Sequence, residues 1–220
     1  MRFIWSIAVG ISIFVGATAP SIADSILFSD SFDRPNSSTV GNAWLDLSGN
    51  VNGNLIVQNG SLTTPNPDGN AGIYRPIDFS FGGRIQGTLT QQNGYGGTLE
   101  RYASGFSIFN DGTLYNGNVP NGLSVMFYRG DQNYNNSAVR LYVNGSLNEV
   151  KSSTFQFGSA ISFDTQYKQG NLTGTVSSGS NSFNFQFAVP NVPSGKDFAA
   201  YLGFPDGRSG VITNPKLAIS

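Results

Sequence analysis

The chain of 220 residues carries 12 Lys and Arg against 13 Asp and Glu, a net charge of −1, and contains neither cysteine nor histidine. Near-neutral charge with no basic block argues against nucleic acid or an anionic membrane surface as partner. The two missing residue types exclude disulfides, thiolate and imidazole metal sites and His-dependent nucleophiles, leaving carboxylates, hydroxyls, amides, tyrosines and a few cations for chemistry.

The chain opens with Arg2, an uncharged apolar run from Phe3 to Val15, Pro20, and the small-x-small sequence Ser21-Ile22-Ala23. That layout predicts a secretory signal peptide over 1–23, cleaved before Asp24. The run is short of the roughly 20 residues that span a bilayer. Residues 24–220 then read as one domain, secreted or periplasmic, with no membrane insertion after cleavage.

Next comes DSFDRPNSSTVGNAW, Asp30 to Trp44. Ile26, Phe28 and Phe32 have the period of a strand, Pro35 ends it, and Trp44 is expected in the core beside the seam that this strand makes with the rest of the domain. Beyond it, Asn-Gly occurs six times (from Asn52 to Asn144) and Asp-Gly three times (Asp68, Asp111 and Asp206). These pairs tolerate the positive φ of tight hairpin turns. Between them lie short alternating segments: NLIVQNGSL, GFSIF, GLSVMFYR, AVRLYVNG and SFNFQFAV. In the last, Phe183, Phe185 and Phe187 share one face and Asn184 and Gln186 the other, as in a half-buried antiparallel strand. About a dozen such segments, no helical periodicity and no linker predict an all-β, antiparallel, two-sheet sandwich.

The phrase FSDSFDRPNSSTVGNAW, Phe28 to Trp44, resembles the opening of secreted bacterial domains with the concanavalin A-like, laminin-G-like jelly roll. NGNLIVQNGSLTT is similar to that family's second hairpin, GFSIF and GLSVMFYRGD to its central strands, and GVITNPKLAIS to a closing strand that returns beside the first. The resemblance implies a fold more than an activity, since the family holds lectins, hydrolases, lyases and adhesive modules. Its laminarinase-like hydrolases carry E-x-D-x-x-E on one strand, whereas Glu100 and Glu149 here each lack a second carboxylate nearby. Lyases of this architecture use a Tyr or His base with a cation that neutralises a uronate, a set that Tyr128, Arg140 and Tyr142 approximate. Many relatives hold a structural Ca²⁺ between an N-terminal Asp and a C-terminal Asp-Asn. The resemblance therefore implies Asp30 and Asn214 as ligands, although Thr213 stands where the second Asp would be; a solvated or turn-capping Asp30 is the alternative.

Strict alternation gives a candidate ligand face. If Leu123, Val125, Phe127, Val139, Leu141, Phe106 and Ile108 form the core, then Phe109, Met126, Tyr128, Arg140 and Tyr142 gather on the opposite side. Aromatic rings among hydrogen-bonding groups suit a poly- or oligosaccharide; the plainer account is a sheet face rich in strand-favouring tyrosines. The tyrosines Tyr95, Tyr102, Tyr115 and Tyr134 sit in Gly- and Asn-rich connections, where a ligand rim is expected. The sequence thus points to an exported, non-catalytic carbohydrate-binding or matrix protein that requires no cofactor. A glycan hydrolase or lyase of the same fold and a purely structural surface protein remain as alternatives.

Overall fold

The computed structural model describes residues 29–50, 54–63, 71–79, 82–90, 103–115, 119–128, 137–158, 160–189, 191–203 and 211–213. Sixteen strands and no helix occur among them: β1 (Leu45–Asp46), β2 (Ile56–Gln58), β3 (Ser61–Thr63), β4 (Ala71–Arg75), β5 (Gly83–Thr90), β6 (Ala103–Asn110), β7 (Leu114–Tyr115), β8 (Val119–Pro120), β9 (Leu123–Tyr128), β10 (Ala138–Val143), β11 (Ser146–Ser152), β12 (Ala160–Lys168), β13 (Asn171–Ser178), β14 (Asn181–Ala188), β15 (Asp197–Gly203) and β16 (Val211–Thr213). The first sheet runs β1-β4-β15-β6-β9-β10-β11, the second β14-β13-β12-β5-β16-β3-β2, and β7 and β8 form a two-stranded ribbon. Every pairing between these strands is antiparallel.

Two of the Asn-Gly pairs act as anticipated, whereas Asn121 does not take the positive φ of such a turn. Asn59-Gly60 (φ 52° and 68°) joins β2 to β3, and Asn144-Gly145 (φ 46° and 77°) joins β10 to β11. Gln169-Gly170 makes the same kind of turn between β12 and β13 at φ 49° and 76°, without the Asn or Asp that marks such turns in sequence.

The apolar sets chosen by alternation do face inward: Leu123, Val125, Phe127, Val139, Leu141, Phe106 and Ile108 are all buried in one cluster between the sheets. Rings dominate its centre. Phe163 of the second sheet stacks on Phe127 and Phe106 of the first at 5.0 and 5.4 Å, and Phe106 stacks on Phe198 at 6.2 Å. The middle strand β5 gives way to these rings, since a β-carbon at Gly87 would lie 2.5 Å from Phe163 Cζ. On β14, Phe185 and Phe187 are buried and Phe183 packs against them, while Asn184 and Gln186 are exposed.

The expected opening strand differs. Ile26 and Phe28 lie outside the described residues, and residues 29–36 form no strand. Phe32 instead takes φ 54° with its amide on Asp30 Oδ1, which breaks the alternation. Only Ser37 bridges to a strand, at Val57. Val211–Thr213 is a strand, but it pairs with β3 and touches β5. The rest of the expected closing strand, residues 214–220, lies outside the described residues.

Candidate functional site

Trp44 owes its place to an acid. Asp30, 4% exposed, accepts hydrogen bonds on Oδ1 from the Phe32 amide (2.8 Å) and Arg34 Nη1 (2.7 Å), and on Oδ2 from Arg34 Nη2 (3.2 Å), Asn42 Nδ2 (3.0 Å) and Trp44 Nε1 (2.9 Å). Burial alone would raise the Asp30 pKa, but these donors outweigh it and hold the carboxyl below its usual range. With its indole nitrogen fixed, Trp44 lays its ring between Phe32 and Phe198, at 6.0 and 6.1 Å. Trp44 is a core residue, as the sequence implied.

The outer face of the first sheet is read from its register. One row crosses the strands as Leu45, Tyr74, Ala199, Ser107, Ser124, Tyr142 and Leu147. The next includes Gly105, Met126, Arg140 and Val150. The centre of this face is covered rather than open. The β7–β8 ribbon folds across it, putting Leu114 and Val119 with Leu47 onto Met126, Tyr128, Ala138 and Ala199 in a second apolar cluster. Ser124 Oγ donates to the Pro120 carbonyl (2.7 Å) and Ser107 Oγ to that of Asn121 (2.8 Å), so the small polar residues of the face anchor its cover.

Phe109 does not belong to this face. Between Ser107 and Asn110, β6 has one residue more than its partner β15, and Phe109 takes φ 57°. This bulge breaks the period of two and turns the ring into the main core, edge-on to Tyr167 at 5.1 Å. Met126 (0% exposed) and Tyr128 (7%) are on the expected face but buried, which makes them a floor rather than a contact surface. Arg140 and Tyr142 are half-buried beside them. The sequence reading missed Leu147 and Val150 of the edge strand β11, 51% and 42% exposed, which pair with Tyr142 and Arg140 and extend the patch to the sheet edge. Exposure at an edge strand leaves no signal in alternation.

These groups are held in fixed relation. The Tyr128 and Tyr142 hydroxyls are 2.8 Å apart, and Arg140 Cζ lies 3.9 Å above the centroid of the Tyr128 ring. Burial first, then the Tyr142 hydroxyl, push the Tyr128 phenol well above its ordinary pKa, with Arg140 opposing in part. Glu149 forms an ion pair with Lys151. Glu100, Tyr95, Tyr102 and Tyr134 lie outside the described residues, as does the side chain of Tyr115.

Two adjoining hollows, of about 570 and 420 Å³, indent the outer face of the second sheet; both are lined by Asp164 and Thr175. Their charges are answered internally: Arg84 reaches both Asp164 oxygens and Gln86 Nε2 bonds Oδ2 at 2.8 Å.

No protein-family model and no curated protein matches the chain. Solved structures do. The metal-free exoplasmic/lumenal domain of VIP36 aligns with a TM-score of 0.61 at 14% identity, covering 86% of this chain and 90% of that one. The Ca²⁺/Man2-bound form of the same domain gives 0.58 at 14% identity over 86% and 85%, and the Emp47p carbohydrate recognition domain 0.55 at 18% identity over 86% and 92%. This chain is a concanavalin A-like jelly roll. The jelly roll of VIP36 is also known in a Ca²⁺-bound form and that of Emp46p in a potassium-bound form. A cation does not fit at Asp30 here, because five donors already occupy its two oxygens and two of them belong to the Arg34 guanidinium. Asn214 lies outside the described residues, and no cluster of three or more acidic side chains suited to a metal occurs among the described ones.

Proposed function

We propose that this protein is an exported, non-catalytic carbohydrate-binding jelly roll whose ligand lies on the β9–β10–β11 end of the first sheet. The observation that carries the reading is the half-buried Tyr142 ring, tethered through its hydroxyl to Tyr128 and flanked by Arg140, Leu147 and Val150. A sugar presents apolar ring faces and hydroxyls together, and this patch offers apolar surface beside donors already held in place. The likeness to lectin domains, one of them in a Ca²⁺/Man2-bound form, supports the same reading. A buried phenol with a raised pKa keeps its proton near neutrality, which favours hydrogen bonding over the proton abstraction a lyase would need. Export rests on residues 1–23, and fits the exoplasmic/lumenal setting of the VIP36 domain; a secreted product whose intact mass begins at Asp24 is its check.

A glycan array on the purified protein tests the binding. For any glycan bound, Tyr142→Ala is expected to cost about 1–3 kcal/mol of affinity, the scale of one buried contact side chain, with a much smaller loss of stability because the ring is off the main core. Failure of every glycan to bind, or unaltered binding by Tyr142→Ala, overturns the reading.

A further inference from the structure

Arg140 is at odds with the way this fold treats Arg34 and Arg84, which are likewise half-buried. Arg34 is bidentate on Asp30 and Arg84 on Asp164. Arg140 forms no ion pair with a carboxylate among the described residues, and its Nε is buried without any acceptor. Its guanidinium lies on the Tyr128 ring, at 3.9 Å. An arginine cannot discard its charge, so a half-buried one with an orphaned N–H is a standing cost to the fold. Such a group calls for an explanation, and a bound ion is one of the few available to a permanent charge.

The surroundings say what kind of answer fits. The Tyr128 ring lies against the guanidinium and its hydroxyl draws on one of the N–H donors, so those that remain are what a planar anion would meet. Met126 and Val150 flank it across the sheet, and Tyr142 adjoins it two residues along β10. The nearby cation of β11, Lys151, is occupied by Glu149. A polyanion such as nucleic acid needs many cations, whereas among the described residues of this patch Arg140 alone is a cation without a carboxylate partner. A single carboxylate attached to a ring with apolar faces matches that pattern.

We propose that Arg140 makes the sugar-binding face selective for glycans bearing uronic acids, the carboxylate docking on the guanidinium while the sugar ring packs beside Tyr142. This rests on the binding reading above and adds the ligand's charge. The test is calorimetric titration of the full protein with oligomers of galacturonate and of mannuronate, each beside its carboxyl-reduced, neutral counterpart. At least one acid form is expected to bind about 10–100-fold more tightly than its reduced form, the scale of one charge-assisted hydrogen bond. Arg140→Gln should abolish that difference. Arg140→Lys, which keeps the charge and removes the planar fork, should retain only part of it.

Near-ultraviolet circular dichroism of both variants checks that the Tyr128–Tyr142 pair is intact. A misfolded Gln variant leaves the Lys variant and the acid-to-reduced comparison on the wild type to decide. Equal binding of acid and reduced oligomers overturns uronate selectivity while leaving sugar binding in place, as does an acid preference untouched by either variant. Binding of neutral glycans but of no uronate does the same. If neither uronates nor neutral glycans bind, both readings fall.

Discussion

Replacing Asp30 by alanine removes the acceptor for four residues at once. The Phe32 amide and the Trp44 indole N–H are buried with it, and a buried donor left unsatisfied costs about 1–3 kcal/mol. Arg34 loses its ion pair but keeps hydrogen bonds to the Val40 carbonyl, at 3.1 and 2.8 Å, and its side chain is 26% exposed, so water screens much of that loss. Asn42 is exposed and adds little. The expected cost is therefore about 3–5 kcal/mol, a large share of the roughly 5–15 kcal/mol that holds a domain folded. At about 2–4 °C per kcal/mol for a chain of this size, the melting temperature should fall by about 6–20 °C. Urea unfolding followed by fluorescence is a direct assay, because Trp44 is the one tryptophan besides Trp5 and it sits on the perturbed acid. Arg34→Ala should cost distinctly less, since it leaves no buried N–H without a partner. A loss under about 1 kcal/mol for Asp30→Ala would refute the account of this acid as the anchor of the N-terminal segment.

Two further outcomes follow from the same geometry. Asp30 and Asp164 are both held below their usual pKa, the latter chiefly by Arg84, so the unfolded chain binds more protons than the folded one in acid. Their contribution is complete above the unfolded value near 4 and is lost as pH falls through the lower folded values; the urea midpoint should drop below about pH 4, most of it through buried Asp30, and a midpoint flat down to about pH 2 would contradict this. Gly105→Ala would place a β-carbon 1.9 Å from the Val125 carbonyl oxygen, and should destabilise by at least about 2 kcal/mol, against which an unchanged melting temperature would count.

Much of the architecture was readable because it is local. Asn59-Gly60 and Asn144-Gly145 announce their turns, and the alternation in Phe183–Val189 or Leu123–Tyr128 fixes which side is wet and which is core. Strands β12 and β13 are harder to read, since Gln169-Gly170 lacks a turn signature and Gly174 interrupts the pattern. The site was half legible. Tyr128, Arg140 and Tyr142 do meet, because an uninterrupted register carries them there. Phe109 was misplaced by a single bulge residue, which no period of two can foresee. The burial of Met126 comes from a ribbon folded over from residues 114–120, a tertiary event that the residues beneath it do not encode. The resemblance implied Asp30 as a metal ligand, with a turn-capping acid as the alternative; the donors Arg34, Asn42 and Trp44 around it come from separate positions that only the fold assembles.

The strand order also constrains how the molecule is made. β15 lies between β4 and β6, and β16 lies between β3 and β5, so the last two described strands complete the interior of both sheets rather than extend their rims. Until residues 197–213 arrive, each sheet exists as two separate parts whose inner margins have unpaired N–H and C=O groups, beside a row of phenylalanines that has lost Phe198. Closure waits on contacts far apart in the chain, and the loop-closure entropy must be met before pairing repays it. Vulnerability to aggregation is therefore expected to concentrate in the interval before β15 and β16 slot in.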